Sequence, residues 1–119
     1  IEADGGTRTA SITGGFVALS LAIKKYTDSN KSIQNPIKDY VAAISCGIVK
    51  NEVLVDLDYS EDSIAEVDAN FVITQKSGFS EVQATGEENT FNKNELLEMM
   101  EKVELVSEKI FKIQKDALE

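Results

Sequence analysis

Asp4-Gly5-Gly6-Thr7-Arg8-Thr9-Ala10-Ser11 runs straight into an apolar-periodic segment from Ile12 to Tyr26. Two adjacent glycines favour a tight turn, with a positive φ that a side chain would oppose. Three hydroxyls and a guanidinium follow where a helix should begin. The start of a helix carries unpaired N–H groups and about half a positive charge, so it favours an anion. Arg8 adds a permanently charged planar fork that suits phosphate oxygens. Two readings stand side by side: a phosphate cradle, or a helix simply capped by Thr7, Thr9 or Ser11.

Outward from this stretch, the spacing predicts a helix over 11–26 with Ile12, Phe16, Leu19, Ile23 and Tyr26 on one buried face. Gly14 and Gly15 lie inside it, each costing helix stability on the order of 1 kcal/mol relative to Ala. They imply either close backbone approach to another element or subunit, or a flexible helix start. Thr27 to Lys38 is a polar connector with the only proline, Pro36, and is the natural junction between halves. Tyr40–Lys50 and Val53–Asp58 then read as a hairpin about Asn51-Glu52. Val41 to Val49 is almost continuously apolar, as in a strand covered on both faces, which makes Cys46 a small core residue. In the second run Val53, Val55 and Leu57 point one way, and Leu54, Asp56 and Asp58 the other.

A short acidic loop over 59–66 leads into a third strand, Val67 to Thr74, in which Val67, Ala69, Phe71 and Ile73 share a face. Gln75-Lys76-Ser77-Gly78 is a turn, and Phe79 to Thr85 returns as a fourth strand. The last element is a long helix from Lys93, opened by Asn92 and Glu95 in capping-box spacing. Glutamates lead and lysines close it, as the helix dipole prefers, and Leu96, Met100, Val103, Val106, Ile110 and Ile113 form its inward stripe.

At 119 residues the chain fits one compact domain, and its net charge of −9 argues against holding nucleic acid by a basic patch of its own. It has no histidine, which excludes Ser-His-Asp and Cys-His catalysis within the chain. A single cysteine excludes an internal disulfide and a Cys/His zinc site, and suits a reducing cytoplasm. Neither a signal peptide nor a membrane span is expected. Ile1-Glu2-Ala3 reads like the end of a strand cut off from its beginning, which points to a fragment.

A second constellation is the carboxylate run Asp56, Asp58, Glu61, Asp62, Glu66 and Asp68. Such crowding is unfavourable unless a positive charge sits among it. Magnesium fits, because it takes one or two carboxylates, keeps several waters and is commonly shared with phosphates. Asp62 and Asp68 flank a turn-like segment and can converge; the alternative is a solvated acidic loop. A phosphate cradle with a carboxylate pair points to phosphoryl chemistry, with an oxygen nucleophile attacking a phosphodiester. Asp62 is then either a magnesium ligand or a general acid to the leaving oxygen.

The strings at 4–14, at 41–49 and at Leu57-Asp58-Tyr59-Ser60-Glu61-Asp62-Ser63-Ile64-Ala65-Glu66-Val67-Asp68 resemble the bacterial ribonuclease PH family. So do Gly78-Phe79-Ser80-Glu81-Val82-Gln83 and the closing helix. The resemblance covers this whole chain but only about the C-terminal half of the family, whose relatives include exosome ring subunits. It implies an α/β fold of the α+β kind, with a mixed sheet of at least four strands and two main helices. Residues 1–30 would end a first subdomain and 37–119 would form the second. It further implies a phosphorolytic 3′→5′ exoribonuclease that trims tRNA precursors with inorganic phosphate and releases nucleoside diphosphates. Gly6, Thr7 and Arg8 would hold the phosphate, with Thr9 and Ser11 as weaker candidates. Asp62 and Asp68 would hold Mg2+ or act as acid. The implied assembly is a homo-oligomeric ring, usually a hexamer, in the cytoplasm and off the membrane. The family's N-terminal half, with a second phosphate-binding arginine and a basic tRNA surface, lies outside the match. The rival readings are a non-catalytic exosome-type ring subunit and a phosphate-binding domain with an unrelated partner.

Overall fold

The computed structural model describes residues 2–119. Its elements in order are α1 (Thr7–Ser29), β1 (Val41–Val49), β2 (Glu52–Val55), α2 (Tyr59–Ile64), β3 (Val67–Thr74), β4 (Gly78–Gly86) and α3 (Lys93–Leu118). The strand end expected over 1–3 falls partly on Ile1, outside the described residues; Glu2 and Ala3 carry no regular structure.

The four strands form one sheet in the order β2-β1-β3-β4. Every neighbouring pair is antiparallel, so the mixed sheet expected above is not what forms. Parallel neighbours need crossovers of about a dozen residues or more. Here β1–β2 and β3–β4 are joined by tight turns. The first turn is Lys50-Asn51, with φ of 50° and 63°, one residue earlier than the sequence suggests. Positive φ at both positions is the primed turn that matches strand twist.

One face of the sheet is packed by α3. Ile44, Cys46 and Ile48 of β1 and Val67, Ala69 and Phe71 of β3 meet Met99 and Val103 in the main core. The strict alternation of buried and half-buried residues along β3 follows directly from its pattern. Asn92 and Glu95 form the expected capping box, each side chain accepting from the other's backbone N–H. The inward stripe of α3 is broader than the expected one, of which Leu96, Met100, Val103, Val106 and Ile110 all pack in or against the main core. Met99, Val103, Ser107, Phe111 and Gln114 are buried, and Ile113 is 67% exposed. Gln114 is drawn inside because its amide donates to the carbonyls of Thr13 at 3.1 Å and Val41 at 2.9 Å.

Helix α1 is longer than expected and lies differently. Strand β2 covers β1 only from Cys46 onward, which leaves the first half of that edge open. Thr13 fills part of the gap: its hydroxyl accepts from Ala43 N–H at 3.0 Å and donates to Ala43 C=O at 3.2 Å. A helix set against a strand edge buries only a narrow line of residues. Phe16 is buried, but Leu19 and Tyr26 are each 56% exposed, against the expected face. Gly14 and Gly15 have open space where a Cβ would stand, so no close approach within the described residues explains them.

Two further expectations change for local reasons. Asp56 adopts φ 62°, which turns the chain over at the end of β2. Val53 and Val55 therefore join the main core, while Leu57 packs with Leu54 against Val49 and Ala65. The segment read as an acidic loop is the helix α2, opened by a capping box between Asp58 and Glu61.

Cys46 is a core residue, as its apolar run implies, and burial pushes its thiol up to about 11 from 9.0. A bond from Gly47 N–H and the charge of Lys102 oppose that shift without cancelling it. The folded thiol thus keeps its proton to higher pH than the unfolded one, so stability is unaffected below about 9.0 and falls as pH rises towards 11. At pH 8 the native thiol should react with a disulfide reagent at least about a hundredfold more slowly than the urea-unfolded chain, because it is fully buried and its thiolate is scarcer. Equal rates in a stopped-flow trace would contradict this burial.

Candidate active site

The glycine turn brings the start of α1 against the β2–α2 connection. Asp4 Oδ1 accepts from Tyr59 N–H at 3.2 Å, and a Cβ on Gly5 would run into the Leu57 carbonyl. Gly6, at φ 68°, is the N-cap and provides no side-chain cap. The capping roles considered for Thr7, Thr9 and Ser11 are therefore not filled. Thr9 is buried and donates to Gly6 C=O at 3.0 Å, while Ser11 donates to Thr7 C=O at 2.7 Å. Both hydroxyls turn back onto preceding carbonyls, the usual option inside a helix. The first backbone bond of the helix runs from Ala10 N–H to Gly6 C=O at 2.9 Å, and the N–H groups before it lack a helical partner.

Two carboxylates share a cleft with that helix start. The Gly6-Thr7-Arg8 turn, Asp62 and Asp68 line one open cleft of about 170 Å³. Ser45, Leu57 and Asn70 complete its lining. Asp62 comes from α2 and Asp68 from β3, where register pairs it with Gly47 and Asn70 with Ser45. Asp68 alternates with core residues, so its side chain faces away from α3. Burial, and then the charges of Asp62 and Glu87, hold its carboxyl above the usual carboxylate range.

Of the other carboxylates in the run, Asp56 lies beside the glycine turn, its Oδ1 3.6 Å from where a Gly6 Cβ would stand, and Asp58, Glu61 and Glu66 are engaged elsewhere. Asp58 accepts from the Ser60 hydroxyl at 2.6 Å and from Glu61 N–H at 2.8 Å, which lowers its carboxyl below the ordinary value, the hydroxyl contributing most. Glu61 accepts from Asp58 N–H, and Glu66 from the Asn89 amide. Among the described residues no group of three or more metal-ligating side chains converges, so the run as a whole is no metal loop. Two members of it reach the cleft.

Arg8 lies at the cleft but spans to β4, where its Nη2 donates to both oxygens of Glu81 at 3.1 and 2.9 Å. The two side chains are 53% and 39% exposed, so the pair contributes only about 0–1 kcal/mol and is readily exchanged for another anion. Sequence reasoning missed Glu81, Asn70 and Ser45. The first two carry no local signal. Ser45 does, as a hydroxyl within an otherwise apolar buried strand.

Residues 39–102 match the model of the 3′ exoribonuclease family, domain 2. The chain belongs to this family. Curated relatives named Ribonuclease PH, from Bacillus cereus and Bacillus anthracis, are 50% identical over 119 residues, covering 99% of this chain and 49% of each relative. The chain thus spans about half the length of these relatives. Among solved structures, rice (Oryza sativa) Rrp46 superposes with a TM-score of 0.78 at 20% identity, over 99% of this chain and 50% of that one. That likeness is one of fold. Together the matches agree with the resemblance to a C-terminal half.

Proposed function

We propose that this chain carries half of the active site of a phosphorolytic 3′→5′ exoribonuclease acting on tRNA precursors. One observation carries the reading: a single cleft sets the Gly6-Thr7-Arg8 helix start against Asp62 and Asp68. Inorganic phosphate is drawn to the unpaired N–H groups, and Arg8 leaves Glu81 for its oxygens. An oxygen of that phosphate attacks the terminal phosphodiester phosphorus. The bond to the 3′ oxygen breaks, its electron pair stays on that oxygen, and a nucleoside diphosphate leaves. The leaving oxygen takes up one proton. The Asp68 carboxyl, held above the usual carboxylate range, is suited to donate it.

Asp62 and Asp68 also suit Mg2+. The proximity of Asp62 helps to raise the Asp68 carboxyl, a repulsion that a bound cation would relieve, and a carboxylate pair is an ordinary magnesium donor set. When bound, the ion supplies neutralisation of charge on the transferring phosphoryl group. The remaining contacts to RNA and phosphate would come from the sequence that the longer relatives carry beyond this match. A homohexameric ring in the cytoplasm is the assembly proposed.

A product assay tests the reading. The protein at its natural length is given a short 3′-extended tRNA precursor and magnesium, with and without inorganic phosphate. Nucleoside diphosphates that appear only with phosphate are expected. Monophosphates without phosphate would mean hydrolysis and overturn the mechanism. No product in either arm would favour a non-catalytic ring subunit.

A further inference from the structure

Ser45 stands apart from its strand. It is only 7% exposed, and its hydroxyl has no hydrogen-bond partner among the described residues. Burying a hydroxyl without a partner costs about 1–3 kcal/mol, so such a group calls for an explanation. Packing offers none, because the neighbouring positions Ala43 and Gly47, on the same face of β1, are served by small apolar residues. The backbone offers none either. Ser45 C=O already accepts from Asp56 N–H at 2.8 Å, and the hydroxyl takes no part in that bond.

Its surroundings show what the hydroxyl is placed to meet. Ser45 lines the same cleft as Gly6, Thr7 and Arg8, on β1 directly beneath the helix start. A Cβ on Gly6 would stand 3.5 Å from Ser45 Oγ and 3.6 Å from Asp56 Oδ1, so the missing side chain at the N-cap leaves the hydroxyl, with that carboxylate beside it, facing the turn. The turn is also where the unpaired N–H groups of α1 gather. A hydroxyl on β1 and the free amides and Arg8 of α1 then line one cleft. All can donate, and a tetrahedral oxyanion has oxygens enough to accept from each.

We infer that the Ser45 hydroxyl is a further ligand of the attacking inorganic phosphate, donating to one of its oxygens from the floor of the cleft. This rests on the phosphorolytic reading above and adds a binding residue to it. Ser45 bears on phosphate, so its effect belongs to the phosphate KM and not to the RNA.

The experiment measures phosphorolysis by the protein at its natural length, varying phosphate and RNA separately. Ser45→Ala should raise the KM for phosphate about tenfold, the scale of one hydrogen bond to a charged acceptor, and leave the KM for RNA unchanged. Its melting temperature should hold or rise, because an unsatisfied buried hydroxyl is removed. Ser45→Cys, close in volume but a weak donor, should resemble Ser45→Ala, and Ser45→Thr should recover part of the loss. An unchanged phosphate KM, or a loss confined to kcat or to RNA, overturns the inference. Arg8→Ala in the same assay separates the two claims. If Arg8→Ala raises the phosphate KM and Ser45→Ala does not, the Ser45 role fails alone; if neither does, the phosphate site itself is misplaced.

Discussion

Arg8→Ala should lower kcat/KM for phosphate by about 10²–10³, the range seen when one preorganised charge-stabilising donor is removed. Phosphate and the phosphodiester are both anionic, and the chain has a net charge of −9, so approach is opposed unless fixed positive groups lie in the path. At the cleft the helix start contributes partial charge, and among the described residues Arg8 contributes the only full positive charge lining it. Removing it also frees Glu81, whose two oxygens Arg8 now engages, and leaves a carboxylate without its partner near the site. Arg8→Lys should recover only part of the rate, because an ammonium keeps charge but loses the two-pronged geometry. Stability should move by less than about 1 kcal/mol, since the Arg8–Glu81 pair is half exposed. A variant with wild-type phosphate dependence and an unchanged urea midpoint would remove Arg8 from the site.

Which parts of this were legible in the sequence depends on whether the signal is local. The alternation in β3, the apolar run of β1 and the Asn92–Glu95 box are each set by neighbours within a few residues, and all form as read. The helix α2 has an equally local signal in Asp58 and Glu61, but its acidic composition disguised it as a loop. The faces of α1 and α3 depend on partners far along the chain. Helix α1 covers a strand edge and so buries a narrower stripe, and Gln114 turns inward to satisfy carbonyls on Thr13 and Val41. In the cleft, Gly6, Thr7, Arg8, Asp62 and Asp68 stood out because their residue types suit phosphoryl chemistry. The Arg8–Glu81 pairing joins residues 73 apart, and no pattern in either segment announces it. Ser45 was visible as a polar interruption of a core strand, but its meaning emerges only when Gly6 is folded over it.

Asp68→Asn should stop phosphorolysis and, in the absence of divalent cations, raise the melting temperature at pH 7. The two effects share one cause. Burial and the charges of Asp62 and Glu87 make ionised Asp68 unfavourable in the folded state, which is why its carboxyl lies above the usual range. Because the folded carboxyl is the weaker acid, the unfolded chain gives up this proton first as pH rises. The folded state is then penalised throughout the range where Asp68 is ionised in both states. The penalty is absent below about pH 4, where the carboxyl is protonated folded or unfolded. Asparagine keeps the shape without the charge. The gain in melting temperature should therefore be present at neutral pH and fade as the solution is acidified. Asp62→Asn should likewise stop turnover, and it should let the Asp68 carboxyl fall back towards its ordinary value by removing the first of the two charges that raise it. An Asp68→Asn protein that is inactive but less stable at pH 7 would show that the carboxylate is held for structure. One that is more stable and still active would take Asp68 out of the chemistry. The expected pairing, inactive and more stable, is the mark of a charge kept in an unfavourable place for the reaction it serves.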